Sequence, residues 1–375
     1  MPDKHLNIIS FAVPSPPNYG GIIDVYYKLL ALKNAGIKIH LHCFEYDRKP
    51  DLHLETLCES VHYYKRNTGL ISFFSLIPYI VLSRKNKELL TGLQKNDFPI
   101  LFEGMHSCYY LNDKSLQTRI KIYRESNIEH HYYSQLAHAE TNIFKKLFFF
   151  TESYKLKLFE KRLQSADLML AVSKEDTKHL QEKFPKNNIE YLPSFHGNTE
   201  LKCKPGQGNY ILYHGNLSVP ENIKAARYLI DNVFSKLSFP VIIAGLNPSQ
   251  GLQKLCSKFE NITLKANPSK DEMQQLIENA HIHLLITFQA TGLKLKLLNT
   301  LYSGRFVIVN KEMLAGTGLE SLCHIAGTPE EILEKTDQLR TLDFSENEIN
   351  ERRNILSTDY SDSKNSEKLI KLCLK

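Results

Sequence analysis

The sequence predicts an α/β protein made of two doubly wound parallel-sheet domains, on three observations. At 375 residues the chain is longer than one hydrophobic core sustains, so two domains are expected. Short apolar runs alternate with segments of helical spacing in both halves, the pattern of parallel strands covered by helices. Between the halves, residues 196–208 hold Gly197, Pro205, Gly206 and Gly208 with no periodicity, which marks a linker. The expected division is an N-terminal domain over 1–195, that linker, a C-terminal domain over 209–350, and a helical tail over 351–375 that packs back toward the first domain.

Hydrophobic residues make up 42% and charged residues 23%, an ordinary globular balance. The net charge of +6, from 47 basic and 41 acidic residues, permits an anionic ligand or membrane surface and does not point to nucleic acid. Seven scattered cysteines, an odd number without a C-x-x-C pair, indicate neither a zinc site nor a disulfide framework. A reducing, cytoplasmic setting is therefore expected. Residues 1–5 lead directly into a strand-like run without the long apolar region of a signal peptide. No segment offers the ~20 uninterrupted apolar residues of a membrane span.

In chain order, residues 7–13 read as a buried strand. The loop 14–21 is proline-rich and ends in Gly20-Gly21, and a helix over 22–35 stops at Gly36. The glycine pair lets backbone approach a ligand closely, or makes a tight turn with no ligand. Strands follow at 38–44 and 99–102, the latter leading into Glu103-Gly104-Met105-His106. Polar residues past the carboxyl end of a parallel strand lie where open α/β sheets bind ligands. The strand 119–123 leads likewise into Arg124-Glu125-Ser126-Asn127-Ile128-Glu129-His130, an unusual density of ionisable groups. Strands at 167–172 and 189–193 complete the first half, with Ser173 capping a helix between them.

The second half restarts with a strand at 210–214 that meets Gly215-Asn216, a helix over 223–237, strands at 241–244 and 261–265, and a helix over 270–279. The apolar run 283–287 then leads through Thr291-Gly292-Leu293 into a helical segment carrying Lys294, Lys296 and Asn299, closed by Gly304 before a strand at 306–309. Such a turn leaves free N–H groups at a helix start, which favour a phosphate, and two lysines add positive charge there. Taken alone, the lysines also suit a solvated basic surface. A proline-primed helix over 328–339 follows.

Residues 69–83 and 142–162 are strongly apolar and set beside lysines and arginines. They read either as helices lying on an anionic bilayer or as core helices with a solvated basic edge.

Several of these stretches resemble retaining glycosyltransferase family four, the glycosyl transferases group 1, of GT-B architecture. The loop ending in Gly20-Gly21 resembles its first loop, and residues 124–133 resemble its R-x-H-N-I-E-x-x-Y segment with Ser126 at the His position. Residues 165–173 resemble its A-D-x-v-x-x-x-S strand, and residues 213–228 its G-s-l-x-x-x-P-N-x-x-A entry to the second domain, with Glu221 in place of a proline. Residues 292–304 resemble its donor signature G-x-k-x-K-x-x-E-A-x-x-x-G. The resemblance implies two Rossmann-like domains facing across a cleft and a UDP- or GDP-linked sugar donor. It implies an oligosaccharide or lipid-linked glycan acceptor, retention at the anomeric carbon, no cofactor and no metal. Bacterial surface polysaccharide synthesis, with peripheral contact to the inner membrane, is the implied setting.

By the same resemblance, Lys296, Lys294 and the N–H groups after Gly292 meet the diphosphate, Gly215, Asn216, Thr291 and Leu293 join them in binding the donor, and Gly20 and Gly21 lie over the diphosphate or the acceptor. His106 lies near the donor sugar, and Arg124 and Glu129 position the acceptor. The chain departs from the signature at Asn299, where a ribose-holding glutamate is usual. An amide can still accept one hydroxyl and donate to another, without the strength of a charge-assisted bond. Two other readings keep the fold, a nucleotide-sugar 2-epimerase and a non-catalytic binder of nucleotide sugars or glycans.

Overall fold

The structure is a computed structural model that describes residues 4–69, 75–140, 142–288 and 294–374. It divides into two compact units, one formed by residues 1–197 together with 360–375, the other by residues 198–359.

The first unit is built on seven parallel strands: β1 (His5–Ser10), β2 (Lys38–Glu45), β3 (Ser60–Lys65), β4 (Ile100–Glu103), β5 (Lys121–Arg124), β6 (Leu168–Ala171) and β7 (Asn188–Tyr191). Their order across the sheet is β3-β2-β1-β4-β5-β6-β7. Successive residues of a strand point to opposite faces. Along β4, Ile100 and Phe102 join one core with Ile9, Phe44, Tyr123 and Met169, while Leu101 joins the other with Ile8, Leu41, Ile122 and Leu170. Burial of both faces explains why these strands read as continuous apolar runs rather than as alternating patterns.

The helix α1 (Gly20–Asn34) covers the second of those cores through Val25, Leu29 and Leu32. The C-terminal helix of the chain, Asp362–Cys373, adds Leu369 and Cys373 to it. The Asp362 carboxylate accepts hydrogen bonds from the backbone N–H groups of His196 and Gly197, which fixes the returning chain to the first unit. On the other face, α2 (Glu129–Ala139) and α3 (Ile143–Phe159) form a helical hairpin, with Leu156 and Phe159 in the core.

The second unit repeats the plan with six parallel strands: β8 (Ile211–His214), β9 (Val241–Gly245), β10 (Ile262–Ala266), β11 (Ile282–Leu285), β12 (Phe306–Val309) and β13 (His324–Ile325). Their order is β10-β9-β8-β11-β12-β13. The helix α4 (Pro220–Asn232) covers one face with Ala225, Ala226 and Leu229. The helix α5 (Leu295–Ser303) runs between β11 and β12. In each unit the strand order reverses beside the first strand, at β1/β4 and at β8/β11. Open parallel sheets bind ligands outside the carboxyl ends of the strands at such a switch point.

The expected fold class holds in both sheets. Two strands escape the sequence reading. β3 buries only Tyr64 and leaves His62 and Lys65 exposed, so it lacks the apolar run that marks its neighbours, and β13 has only two residues. Both lie at sheet edges, where one side of the backbone needs no partner strand. The apolar segment 69–83 contributes only the short helix Tyr79–Leu82 within the described residues. No helix among the described residues is long and apolar enough to cross a membrane.

Candidate active site

At the switch point of the second unit, β8 ends at His214 and the chain turns through Gly215 and Asn216 into α4. The turn is drawn tight by side chains. The Asn216 carboxamide oxygen accepts from the Ser218 N–H at 3.0 Å, and Asn222 donates to the Asn216 carbonyl at 3.0 Å. A side chain at Gly215 would meet the Asn222 carboxamide, and one at Gly245 would fall 1.9 Å from the Gly215 carbonyl oxygen. The β8 turn therefore lies directly against the end of β9.

Lys296 reaches this turn from α5. Its ammonium lies 3.3 Å from the Asn222 Oδ1 and 5.8 Å from the centre of the Tyr213 ring. Burial pushes its pKa down to about 8; Glu221 acts against this and Lys294 adds to it. Glu221 is itself committed, its Oε1 accepting from the Thr287 hydroxyl and the Phe288 N–H, both at 2.6 Å. The cation thus sits in a largely buried place beside a neutral amide, a costly arrangement unless an anion joins it. Beneath it, His214 Nε2 lies 2.9 Å from the Thr300 hydroxyl. Burial, then Lys296, push that imidazole down to about 3, so it is neutral at physiological pH.

Within α5 only positions 296 and 299 are half-buried; every other residue of the helix is buried. Lys296 and Asn299 therefore share the one open face, as spacing of three requires. Lys294 sits at the start of the helix as its N-terminal cap residue. Thr291, Gly292 and Leu293 lie outside the described residues.

The first unit gathers its own polar group at its switch point. Gly104 follows β4 with φ +68°, and a side chain there would meet His106 Nδ1 at 3.3 Å, Ser126 Oγ at 3.7 Å and the Phe11 ring at 3.8 Å. The loops after β1, β4 and β5 thus close around one glycine. Glu129, the first residue of α2, places Oε1 3.8 Å from His106 Nδ1. Burial pushes the Glu129 carboxyl up to about 8 against the pull of Arg84, and burial with Arg84 and Arg66 holds the His106 imidazole well below its usual range. At neutral pH the pair is a carboxylic acid beside a neutral imidazole. The distance exceeds a hydrogen bond, and His106 Nδ1 has no partner. Gly20 and Gly21 begin α1 with no side-chain cap from Tyr19, and a side chain at Gly21 would strike the Phe11 ring at 2.8 Å.

Arg124 is not where an acceptor could meet it. Its guanidinium is fully buried, donating to the carbonyls of Leu192 and Pro193 and lying 3.4 Å from Asp24. Asp24 also pairs with Lys28 at 3.0 Å, and Lys28 with Glu103 at 2.7 Å. Burial alone would raise the Asp24 carboxyl, but Lys28 and Arg124 more than offset it and hold it below its usual range. These four charges tie α1, β4, β5 and the chain leaving β7 into one unit. The structure thus gives Arg124, expected to position an acceptor, a structural part in this group. The sequence shows an arginine at a strand end but not that the chain after β7 folds over it.

Sequence reading also missed Arg84, which is buried near Glu129 and His106 and donates to the carbonyls of Phe11 at 2.7 Å and Ile80 at 2.5 Å. It follows an apolar run far from the strand ends, and no local signal marks it. Among the described residues no group of three or more His, Cys, Asp or Glu side chains is placed to hold a metal.

No protein-family model matches the chain. A curated protein of Klebsiella pneumoniae, described as an uncharacterized 44.6 kDa protein in cps region, is 27% identical over 333 residues, covering 83% of this chain and 84% of that protein. Among solved structures, a mutant of S. aureus TarM in complex with fondaparinux, alpha-GlcNAc-glycerol and UDP superposes with a TM-score of 0.67 at 11% identity, over 99% of this chain and 100% of the other. A glycosyltransferase from Rickettsia africae gives 0.66 at 12% identity, over 99% and 98%. Anabaena HepE in complex with UDP and glucose gives 0.65 at 12%, over 98% and 99%. These likenesses place the chain in the GT-B fold class.

Proposed function

We propose that this protein is a glycosyltransferase that moves a sugar from a UDP- or GDP-linked donor to a glycan or lipid-linked glycan acceptor. In this reading the anomeric configuration is retained, no metal is required, and the enzyme works in surface polysaccharide synthesis with peripheral contact to a membrane. The observation that carries it is Lys296, a half-buried lysine whose ammonium has a neutral partner beside the Gly215 turn. Breaking the bond between the anomeric carbon and the diphosphate leaves the electron pair on phosphate oxygen. Fixed positive charge in a desolvated site stabilises that developing charge far better than charge in water. Lys296 supplies it, with Lys294 and the backbone at the start of α5. Asn299, on the same open face, meets the ribose.

The GT-B fold supports the reading, as does UDP in the TarM and HepE structures. The relative in a cps region favours surface polysaccharide as the setting. In the first unit, neutral His106 orients the transferred sugar beside protonated Glu129. The test is Lys296→Ala assayed for UDP or GDP release from nucleotide sugars and for sugar transfer. Loss of both with a retained fold supports the donor role, and wild-type turnover refutes it. Release of free nucleotide with only sugar rearrangement in the wild type would instead indicate an epimerase, and binding without turnover a carrier.

A further inference from the structure

The helix α3 has two unlike faces. Its inner face holds α2, where Ser153 donates to the His130 carbonyl at 2.7 Å and the Phe149 and Tyr133 rings lie 5.9 Å apart, and it also holds the helix Tyr79–Leu82, where the Glu152 carboxylate accepts from the Tyr79 N–H at 2.6 Å. Its outer face carries Ile143, Phe144, Leu147, Phe150, Tyr154 and Leu158, from 40% exposed at Phe150 to 82% at Phe144. At 100° per residue these six fall within an arc of roughly 120°. Clustered in this way they form a continuous stripe, unlike the scattered single apolar residues of an ordinary surface.

Within residues 142–162 the exposed charge has one sign. Lys146 and Lys157 lie along one edge of the stripe by helical rotation, and the exposed Lys161 and Arg162 follow just beyond its C-terminal end. The two acids of residues 142–162, Glu152 and Glu160, are both buried and paired, Glu152 with Lys155 and Glu160 with Lys183 and His130. Apart from Asn142 and Thr151, the exposed residues of the segment are therefore apolar or basic, and none is acidic. A second copy of this helix would set lysines against lysines, whereas an anionic bilayer offers an apolar interior and negative headgroups in the same plane.

We propose that α3 is a docking surface for an anionic lipid bilayer, with its outer stripe sunk at the headgroup boundary and its lysines on lipid phosphates. Because α2 is bonded along α3 and begins at Glu129, docking sets the His106–Glu129 end of the first unit at a fixed relation to the bilayer. That matters for the lipid-linked acceptor of the function proposed above, and only this consequence rests on that reading.

The test is flotation of the full chain with vesicles of phosphatidylcholine alone and with vesicles containing phosphatidylglycerol, at low and high salt. The wild type binds the anionic vesicles, and salt weakens binding. The variant Phe144→Ser/Leu147→Ser/Leu158→Ser loses more than about tenfold in affinity. The variant Lys146→Gln/Lys157→Gln/Lys161→Gln loses roughly fivefold per lysine on anionic vesicles. These positions are exposed or half-buried, and a retained thermal shift with UDP or GDP in both variants would separate a docking defect from a folding or donor-site defect. Failure of the wild type to float with anionic vesicles overturns the proposal. So does unchanged binding by the serine variant, and so does wild-type self-association that the serine variant abolishes without any vesicle binding.

Discussion

Replacing Lys296 by Met should stabilise the ligand-free protein while removing nucleotide binding. Burial lowers the lysine from 10.5 to about 8, so its protonated form is disfavoured in the folded state. That difference corresponds to roughly 3 kcal/mol at pH 7, where the group is charged in both states. The sign is fixed by protons: between about 8 and 10.5 the unfolded chain binds more protons than the folded one, so wild-type stability rises with pH across that window. A methionine carries no charge to desolvate and removes that dependence. Against the gain stands the lost contact with Asn222, about 1 kcal/mol. A net gain near 2 kcal/mol would raise the transition of the unit by roughly 4–8 °C. In the wild type, nucleotide at a hundred times its dissociation constant adds ~2.7 kcal/mol, and the methionine variant should lose this stabilisation. Differential scanning fluorimetry at pH 7 and pH 9, with and without UDP and GDP, measures all four quantities. A ligand-free variant less stable than wild type, or one that keeps its nucleotide shift, would refute the account of Lys296 as a charge held for a diphosphate.

Three further outcomes follow from the geometry. Arg124→Ala removes one cation from the buried group of four and leaves Asp24 short of a partner and two carbonyls without a donor, so urea denaturation should show a loss of about 3–5 kcal/mol. Glu129→Gln should flatten a pH dependence. The wild-type carboxyl, raised from 4.5 to about 8, contributes stability that is full below 4.5 and lost as pH rises through 8, and the amide has no such term when melting temperatures are compared from pH 5 to pH 9. Gly245→Ala forces a methyl against the Gly215 carbonyl, so it should cost about 1–3 kcal/mol by denaturation and weaken nucleotide binding by moving that turn, read by calorimetry.

The two parallel sheets were legible because their strands are buried on both faces and so read as apolar runs such as 100–102 and 306–309. The turn at Gly215 was legible because glycine beside a strand end has few other uses, whereas Gly20 and Gly21, read as the end of a loop, are the first residues of α1. The edge strand β3 was not, because exposure on one side leaves its sequence mixed.

At the sites, the sequence by itself determined which charged residues stand near the carboxyl ends of strands, since that follows from the alternation of elements. It could not determine which of them face a ligand and which face the core. Arg124 and Glu129 lie five residues apart, yet one is clamped by the chain leaving β7 and by Asp24, and the other touches the His106 loop. Lys294 and Lys296 differ in the same way: helical rotation separates them, but only the packing of α5 beside Asn222 and Tyr213 decides that the Lys296 ammonium is the one held at the Gly215 turn. Burial and pairing are set by groups distant in the chain, and they fix the protonation on which the chemistry depends.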